Sequence, residues 1–372
     1  MPVSPDLAYD LARQVADLYS SAEDALLRLL RRSLSGDMDA PGWARQKAAA
    51  IGDVRRGAQR IASALEHDAS GALAAAVAEA YRRGDQAAVA ELGALAEGQR
   101  HAAAVWLPQA RSVDRLAASA VHDLRPVYTR IVRAVVDVYQ QVTNRAVSPV
   151  LLGALTRRQG AQQALDAFAA RGITGFTDRA GRNWQVASYA EMAVRTVTGR
   201  AAIDGHTDRL AQLGQRYVVV SSSPLDCPRC HPWEGAVLRL SGPPGPATEH
   251  AKSAVSPATV AVHVAGSVEE ARAAGLLHPN CRHSLSAYLP GVTRRPESPP
   301  HPHGATYDDT QTQRYYERQV RAWKRRALVA LDDDARRSAE QRVRAYQAKI
   351  RALVADKGLK RKPVREQLGT AR

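Results

Sequence analysis

The chain has 372 residues, 45% of them hydrophobic and only 5% aromatic. That length accommodates two domains, or one domain with helical extensions, and the alanine-rich, aromatic-poor make-up favours close-packed helices over a strand sandwich. A net charge of +15 selects anionic partners, whether nucleic acid, an acidic protein face or anionic lipid.

No apolar run is long enough to cross a bilayer. Val132 to Val138 comes nearest, and Arg133 and Asp137 interrupt it. Residues 1–10 carry no secretion signal, so a cytoplasmic site of synthesis is expected. Three cysteines, an odd number, argue against a disulfide framework.

Residues 5–145 read as a helical array. Leu7, Leu11, Val15, Leu18, Ala22, Leu26 and Leu29 recur at steps of three and four, which places them on one helix face. Ile51, Val54, Ala58, Ile61 and Leu65 do the same, as do Val127, Ile131, Val135, Val138 and Val142. Breaks are expected at Gly36-Asp37, Pro41-Gly42, Gly84-Asp85 and Pro108, with Pro126 near the start of the last helix. Residues 148–172 suggest one more helix, followed by turn formers from Gly172 to Gly181. Ser188 and Glu191 fit a capping box for a helix running to about Leu213 and stopping at Gly214. Beyond it, residues 217–220, 237–240, 259–264 and 284–289 are short β-prone runs. Residues 241–256 read as a polar loop.

The fold class is therefore α+β in four parts. A helical region (1–147) precedes a small α+β module with short strands (148–292). A Pro-rich linker (293–306) then leads to a basic helical tail (307–372). In the tail, Tyr316, Val320, Trp323, Ala327 and Leu331 line one helix. Ala335, Ala339, Val343, Tyr346, Ile350 and Leu353 line a second, with Gly358 as its stop. From Tyr307 onwards, 18 Lys or Arg stand against nine Asp or Glu. The tail thus holds most of the net charge.

All three cysteines fall in two spaced pairs. Cys227-Pro-Arg-Cys230 is a C-x2-C knuckle, and His278-Pro-Asn-Cys281 repeats the two-residue gap. Cys227, Cys230, His278 and Cys281 make a Cys3His set that suits tetrahedral zinc. His231 and His283 are alternative fourth ligands. The competing reading is of reduced thiols buried as small hydrophobes, with His278 merely hydrogen-bonded. The long gap between the pairs requires the intervening chain to be an excursion whose ends meet again. Trp233 and Gly235, just after the first knuckle, read as a packed ring and a turn into the next strand, the alternative being a recognition element near the metal.

Among the basic runs, Lys324, Arg325 and Arg326, and Lys360, Arg361 and Lys362, are candidates for contact with phosphate or an acidic partner. The alternative is a solvated helix face. Ser221-Ser-Ser223 is not on a nucleophile elbow, and no phosphate-binding glycine loop occurs. A zinc-knuckle nuclease of the HNH type would need a metal-binding His and a general base between the knuckles. Glu249, His250 and His263 are the residues available there.

Several of these stretches together resemble a known family. Gly172-Ile-Thr-Gly-Phe-Thr-Asp-Arg-Ala-Gly-Arg-Asn-Trp184 with Ser188-Tyr-Ala-Glu-Met192 is similar to the central signature of phage minor capsid protein 2. So are Cys230-His-Pro-Trp-Glu-Gly235, Gly275-Leu-Leu-His-Pro-Asn-Cys-Arg-His-Ser-Leu285 and Tyr288-Leu-Pro-Gly291. The cysteine-histidine pattern also resembles the Mu F-like head-morphogenesis proteins. Ala80-Tyr-Arg-Arg-Gly84 and Arg321-Ala-Trp-Lys-Arg325 extend the likeness toward both ends. The resemblance implies a virion protein in the capsid interior or near the portal, with portal and major capsid proteins as partners and a role in assembly, DNA packaging or delivery. It implies no catalysis, no small-molecule substrate and no membrane in the mature head. A structural zinc and contact with packaged DNA are the cofactor and partner expected from the residues themselves, and a general DNA-binding protein is the further alternative.

Overall fold

The periodic apolar spacing of the N-terminal part is realised as long helices. A computed structural model describes residues 5–36, 38, 40, 42–93, 110–151, 156–171, 174–177, 183–223, 225–278, 281–297 and 302–368. Helix α1 (Pro5–Leu34) is followed by α2 (Trp43–Ala49), α3 (Ile51–Gly93) and α4 (Ala110–Leu151). On α1 the buried line runs through Val15, Tyr19, Ala22, Leu26 and Leu30. It follows the expected stripe, with Tyr19 and Leu30 replacing their neighbours Leu18 and Leu29. Val54, Ala58 and Leu65 on α3, and Val127, Ile131, Val135 and Val142 on α4, are buried as their spacing predicts.

Two expected boundaries are overturned. Gly84 does not break a helix; α3 continues through it to Gly93. The glycine serves packing instead, since a Cβ there would lie 2.0 Å from the carbonyl oxygen of Ala202. Pro126 lies well inside α4, not near its start. The break at Pro108 falls outside the described residues. The helix expected over 148–172 is divided between the end of α4 and α5 (Arg157–Arg171).

Strands β1 (Thr174–Thr177) and β2 (Asn183–Gln185) pair antiparallel, and α6 (Val186–Gln212) begins directly after them. This start precedes Ser188, so the capping box expected at Ser188 and Glu191 lies within the helix. The box that does form is at Ser267, whose hydroxyl accepts from Glu270 N while Glu270 takes the Ser267 amide, opening α7 (Val268–Ala273). Helix α6 ends where expected, at Gly214 with φ +78°.

The remaining strands are β3 (Tyr217–Val220), β4 (Val237–Arg239), β5 (Ala247–Lys252), β6 (Thr259–Ser267) and β7 (Leu285–Ala287). They form one mixed sheet in the order β5-β6-β4-β3-β7, with β4 and β6 parallel and the other pairs antiparallel. Strand β5 lies in the stretch expected to be a loop. Its sequence, Ala-Thr-Glu-His-Ala-Lys, lacks apolar alternation because it is an edge strand with exposed polar side chains. By contrast, every residue of β3 is buried. Val218 and Val220 join Leu210, Leu238, Leu276 and Leu285 in one apolar cluster, while Tyr217 packs with Val237, Val262 and Val264 in another. A strand covered on both faces reads as a continuous apolar run.

Helix α8 (Tyr307–Val329) and α9 (Asp333–Lys357) close the chain, and Gly358 ends α9 with φ +58°. The chain forms two compact units. One comprises residues 1–13, 72–121 and 192–307 and contains the mixed sheet. The other comprises 14–71, 122–191 and 308–372 and is mainly helical. Among the described residues, no helix is long and apolar enough to cross a membrane.

Candidate metal centre

Each knuckle closes as a tight turn. Cys230 N donates to Cys227 O at 3.0 Å, and Cys281 N donates to His278 O at 2.8 Å. The strands then set where the two turns sit. Strand β3 leads into the first knuckle and the second leads into β7. Their antiparallel register places Val220 opposite Leu285. Ser221 N donates to Ser284 O and Ser284 N donates to the Ser221 hydroxyl, both at 2.9 Å, continuing the pairing one step toward the knuckles. Both turns therefore issue from the same end of the sheet. The chain between them is the excursion β4-β5-β6-α7, and its ends do meet.

At that end Cys227 Sγ lies 3.0 Å from His278 Nε2, and Cys230 Sγ lies 3.4 Å from Cys281 Sγ. Cys281 Sγ is also 3.4 Å from His283 Nδ1. The donors form two triads that share the fully buried Cys230: one with Cys227 and His278, the other with Cys281 and His283. Two thiolates on one tetrahedral zinc stand about 3.8 Å apart, given Zn–S bonds of about 2.3 Å. The Cys230–Cys281 separation is near what a shared ion requires, and sulfur with imidazole nitrogen is a soft donor set suited to zinc. Among the described residues, no one group brings Cys227, Cys230, His278 and Cys281 all together.

His283 is buried, and its Nε2 is 2.7 Å from Glu234 Oε1, which also accepts Ser223 N at 2.7 Å. Burial opposes its charge, but hydrogen bonds to Cys281 and Glu234 prevail and raise its pKa to about 9. The Cys230–Cys281 hydrogen bond holds Cys281 down at about 4, with His283 adding to the effect, and pushes Cys230 up. Glu234 lies within the Cys230–Gly235 run, but nothing local in the sequence marks it as a partner of His283.

Of the alternative ligands, His231 is exposed and turned to Asp226, 2.8 Å away, and groups with Asp226 and Glu234 instead of the thiols. His283 stays beside the cluster. Trp233 packs against the same apolar cluster as Cys230, and Gly235 turns the chain into β4 with φ +65°.

Of the residues that a nuclease would need, Glu249 and His263 have side-chain partners within the sheet. Glu249 accepts from Tyr217 at 2.5 Å, from Arg239 at 2.5 Å and from Arg216 at 3.0 Å. His250 and His263 are exposed on β5 and β6, and His263 Nδ1 is 3.0 Å from the Thr248 hydroxyl. Among the described residues, none of these three joins a metal-capable group.

The basic runs do not present a single face. Arg325 is buried, donating to Ala169 O at 2.9 Å and lying 3.9 Å from the buried carboxylate of Glu23. Arg326 donates to Asp166 O at 3.3 Å and lies over the Trp323 ring, 4.0 Å from its centroid. Lys324 donates to Gln367 at 2.7 Å. Arg361 grips the buried Glu366 through both oxygens at 2.7 and 2.8 Å. Lys362 also has a partner within the chain. Only Lys360 of this group stands exposed without such a side-chain contact, its carbonyl oxygen accepting from Gln313 at 3.2 Å.

A sheet-bearing unit with a pinned loop cluster, joined in one chain to a helical unit, is found in a protein whose relatives are phage structural proteins. The chain is 28% identical over 230 residues to a structural protein of Lactococcus phage LL-H, covering 58% of this chain and 57% of that one. It is 38% identical over 95 residues to a structural protein of Lactococcus phage mv4, covering 22% of this chain and 72% of that one. The chain thus spans little more than half the length of the LL-H relative. The profile of phage minor capsid protein 2 matches residues 3–355, and the chain belongs to that family. It is a phage structural protein whose place is the virion. No solved structure matches it.

Proposed function

We propose that the protein acts as a passive assembly component of the phage head, near the portal, with the sheet-bearing unit as a docking body closed by a structural zinc. Cys227, Cys230, His278 and Cys281 are its ligands. His283, backed by Glu234, hydrogen-bonds the Cys281 sulfur and holds it in place. Zinc would supply a fixed tetrahedral cross-link between the two knuckles and no reaction. The observation that carries this reading is the meeting of the knuckles at one end of the sheet, with Cys227 and His278 3.0 Å apart. The basic C-terminal helices then face an acidic neighbour, packaged DNA or an acidic capsid surface, and the portal and major capsid proteins are the other partners.

The test has two arms. Mass spectrometry of purified heads reads the presence and copy number of the chain. Elemental analysis of the purified protein reads the metal, with one zinc per chain expected. Cys230→Ser should abolish zinc and destabilise the sheet-bearing unit by on the order of 5 kcal/mol. His283→Ala should retain the metal. A protein free of zinc, with unfolding unaltered by strong chelation, overturns the metal site. Failure to find the chain in heads overturns the assembly role.

A further inference from the structure

The Lys324–Arg326 and Lys360–Lys362 runs spend most of their cations inside the helical unit, and a different set faces outward. On α9, Arg337, Arg344 and Arg351 recur at seven-residue steps and are all exposed. Two turns of helix separate successive members, about 10.5 Å along one line. Gln341, Ala345, Ala348 and Ala352 between them are also exposed, and the three alanines leave the helix surface open to close approach. From Gln341 to Ala355 the helix carries four cations and no Asp or Glu.

The surroundings separate these cations. Arg337 pairs with Asp334. Arg342 lies 5.8 Å from the Trp323 ring centroid, and Lys349 lies 5.8 and 5.0 Å from those of Tyr316 and Tyr346. These two are held on the flank by aromatic faces. Arg344 and Arg351 pair with no acidic group among the described residues. They are exposed charges that the fold leaves uncompensated.

The kind of partner follows from what accompanies them. A protein interface centres on buried apolar or aromatic anchors, and an interfacial membrane helix needs an apolar face. The exposed large apolar side chains of the described residues are Val255, Val292, Tyr315 and Val364, and none is on α9. A phosphate backbone asks only for cations within reach and for no apolar anchor. We propose that the outer face of α9 binds the phosphate backbone of double-stranded DNA, through Arg344 and Arg351 with Arg337 beside them, without reading sequence. This deepens the reading of the basic helices as a contact for an acidic neighbour, and rests on it.

The experiment measures binding of the full-length protein to two duplexes of unrelated sequence, by fluorescence anisotropy between 50 and 200 mM salt (roughly the span over which phosphate contacts weaken most visibly). The double variant Arg344→Gln with Arg351→Gln should lower the slope of log affinity against log salt by about two, at about 0.9 per phosphate contact. The loss should be equal for both duplexes, with thermal unfolding unchanged because both side chains are exposed. Arg361→Gln, which removes an internal contact, should leave the slope alone in whatever fraction stays folded. Wild-type slope in the double variant overturns the α9 face while leaving DNA contact elsewhere intact. If the wild type does not bind duplex, or if the double variant loses binding only to polyglutamate, DNA is the wrong partner and the proposal fails. Mass spectrometry of heads reads the assembly role separately and is indifferent to these outcomes.

Discussion

In the sheet-bearing unit, thiols and imidazoles gather at one end of a sheet, apart from the buried guanidinium of Arg239 held by Glu249. In the helical unit, guanidinium groups of the basic runs are drawn inward against carboxylates and carbonyl oxygens. The two arrangements respond differently to sequence. A two-residue gap on a tight turn aims both side chains of a knuckle at one point, so spacing alone reveals direction. A helix rotates by about 100° per residue, so the run Lys324, Arg325, Arg326 is spread over three directions. Its middle member is buried against Glu23 and Ala169, while its neighbours lie on the flanks. A cluster of charge in the sequence therefore does not imply a charged surface, whereas the two knuckles do come to the same end of the sheet.

The sharpest way to break that contrast is to remove the inward cation. Arg325→Ala should destabilise the protein by about 3–5 kcal/mol in urea unfolding, because it breaks the buried Arg325–Glu23 pair and removes the donor to Ala169 O. Arg325→Met, which keeps much of the volume, paired with Glu23→Gln, should recover most of that loss. If the single alanine variant costs less than about 1 kcal/mol, the value typical of an exposed ion pair, then α8 is not anchored by charge and the contrast fails.

A second test concerns close backbone packing in the sheet-bearing unit. Gly84 on α3 and Gly205 on α6 face each other's helices. A Cβ at Gly84 would fall 2.0 Å from Ala202 O, and one at Gly205 would fall 2.2 Å from Tyr81 O. The crossing is flanked by a Tyr81–Asp208 hydrogen bond of 2.8 Å and a His206–Glu91 contact of 2.9 Å. Gly84→Ala should cost about 2–3 kcal/mol, since both obstacles are backbone and cannot turn aside. In Gly71→Ala, where a Cβ meets nothing within 4 Å, the change should be neutral or slightly stabilising. Equal effects at the two positions would show that the crossing is not tight.

These positions also show what the sequence reveals and what it hides. Strand β3 falls on the expected residues because Tyr217–Val220 is apolar throughout, and β5 does not stand out because an edge strand has no apolar face to display. Ser-x-x-Glu occurs both at Ser188 and at Ser267, but only the second stands at a helix start; the motif carries no information about which. Gly84 reads as a break until Ala202 and Gly205 are brought against it, and they lie far along the chain. In the candidate site, the ligand spacing is local and legible. Glu234 beside His283 is not, because that meeting depends on the pairing of β3 with β7.

The smallest expected effect is a pH dependence seated in the helical unit, where inward-facing charge has a further consequence. Burial first, and then repulsion from Glu23, raise Asp24 to about 7, against the opposing pull of Arg28 and Arg325. In the unfolded chain the same carboxyl titrates near about 3.9. The folded protein therefore keeps a proton that the unfolded chain has already released between these values. Its contribution to stability is fully present below about pH 4 and is lost as the pH rises through about 7. Between pH 5 and pH 8 this group should lower stability by about 2 kcal/mol, and Asp24→Asn, uncharged throughout, should flatten that part of the curve. Were the asparagine variant to follow the wild-type curve, the carboxyl would be ionised across the range. The helical unit would then tolerate two buried adjacent anions, with Arg325 and Arg28 compensating both.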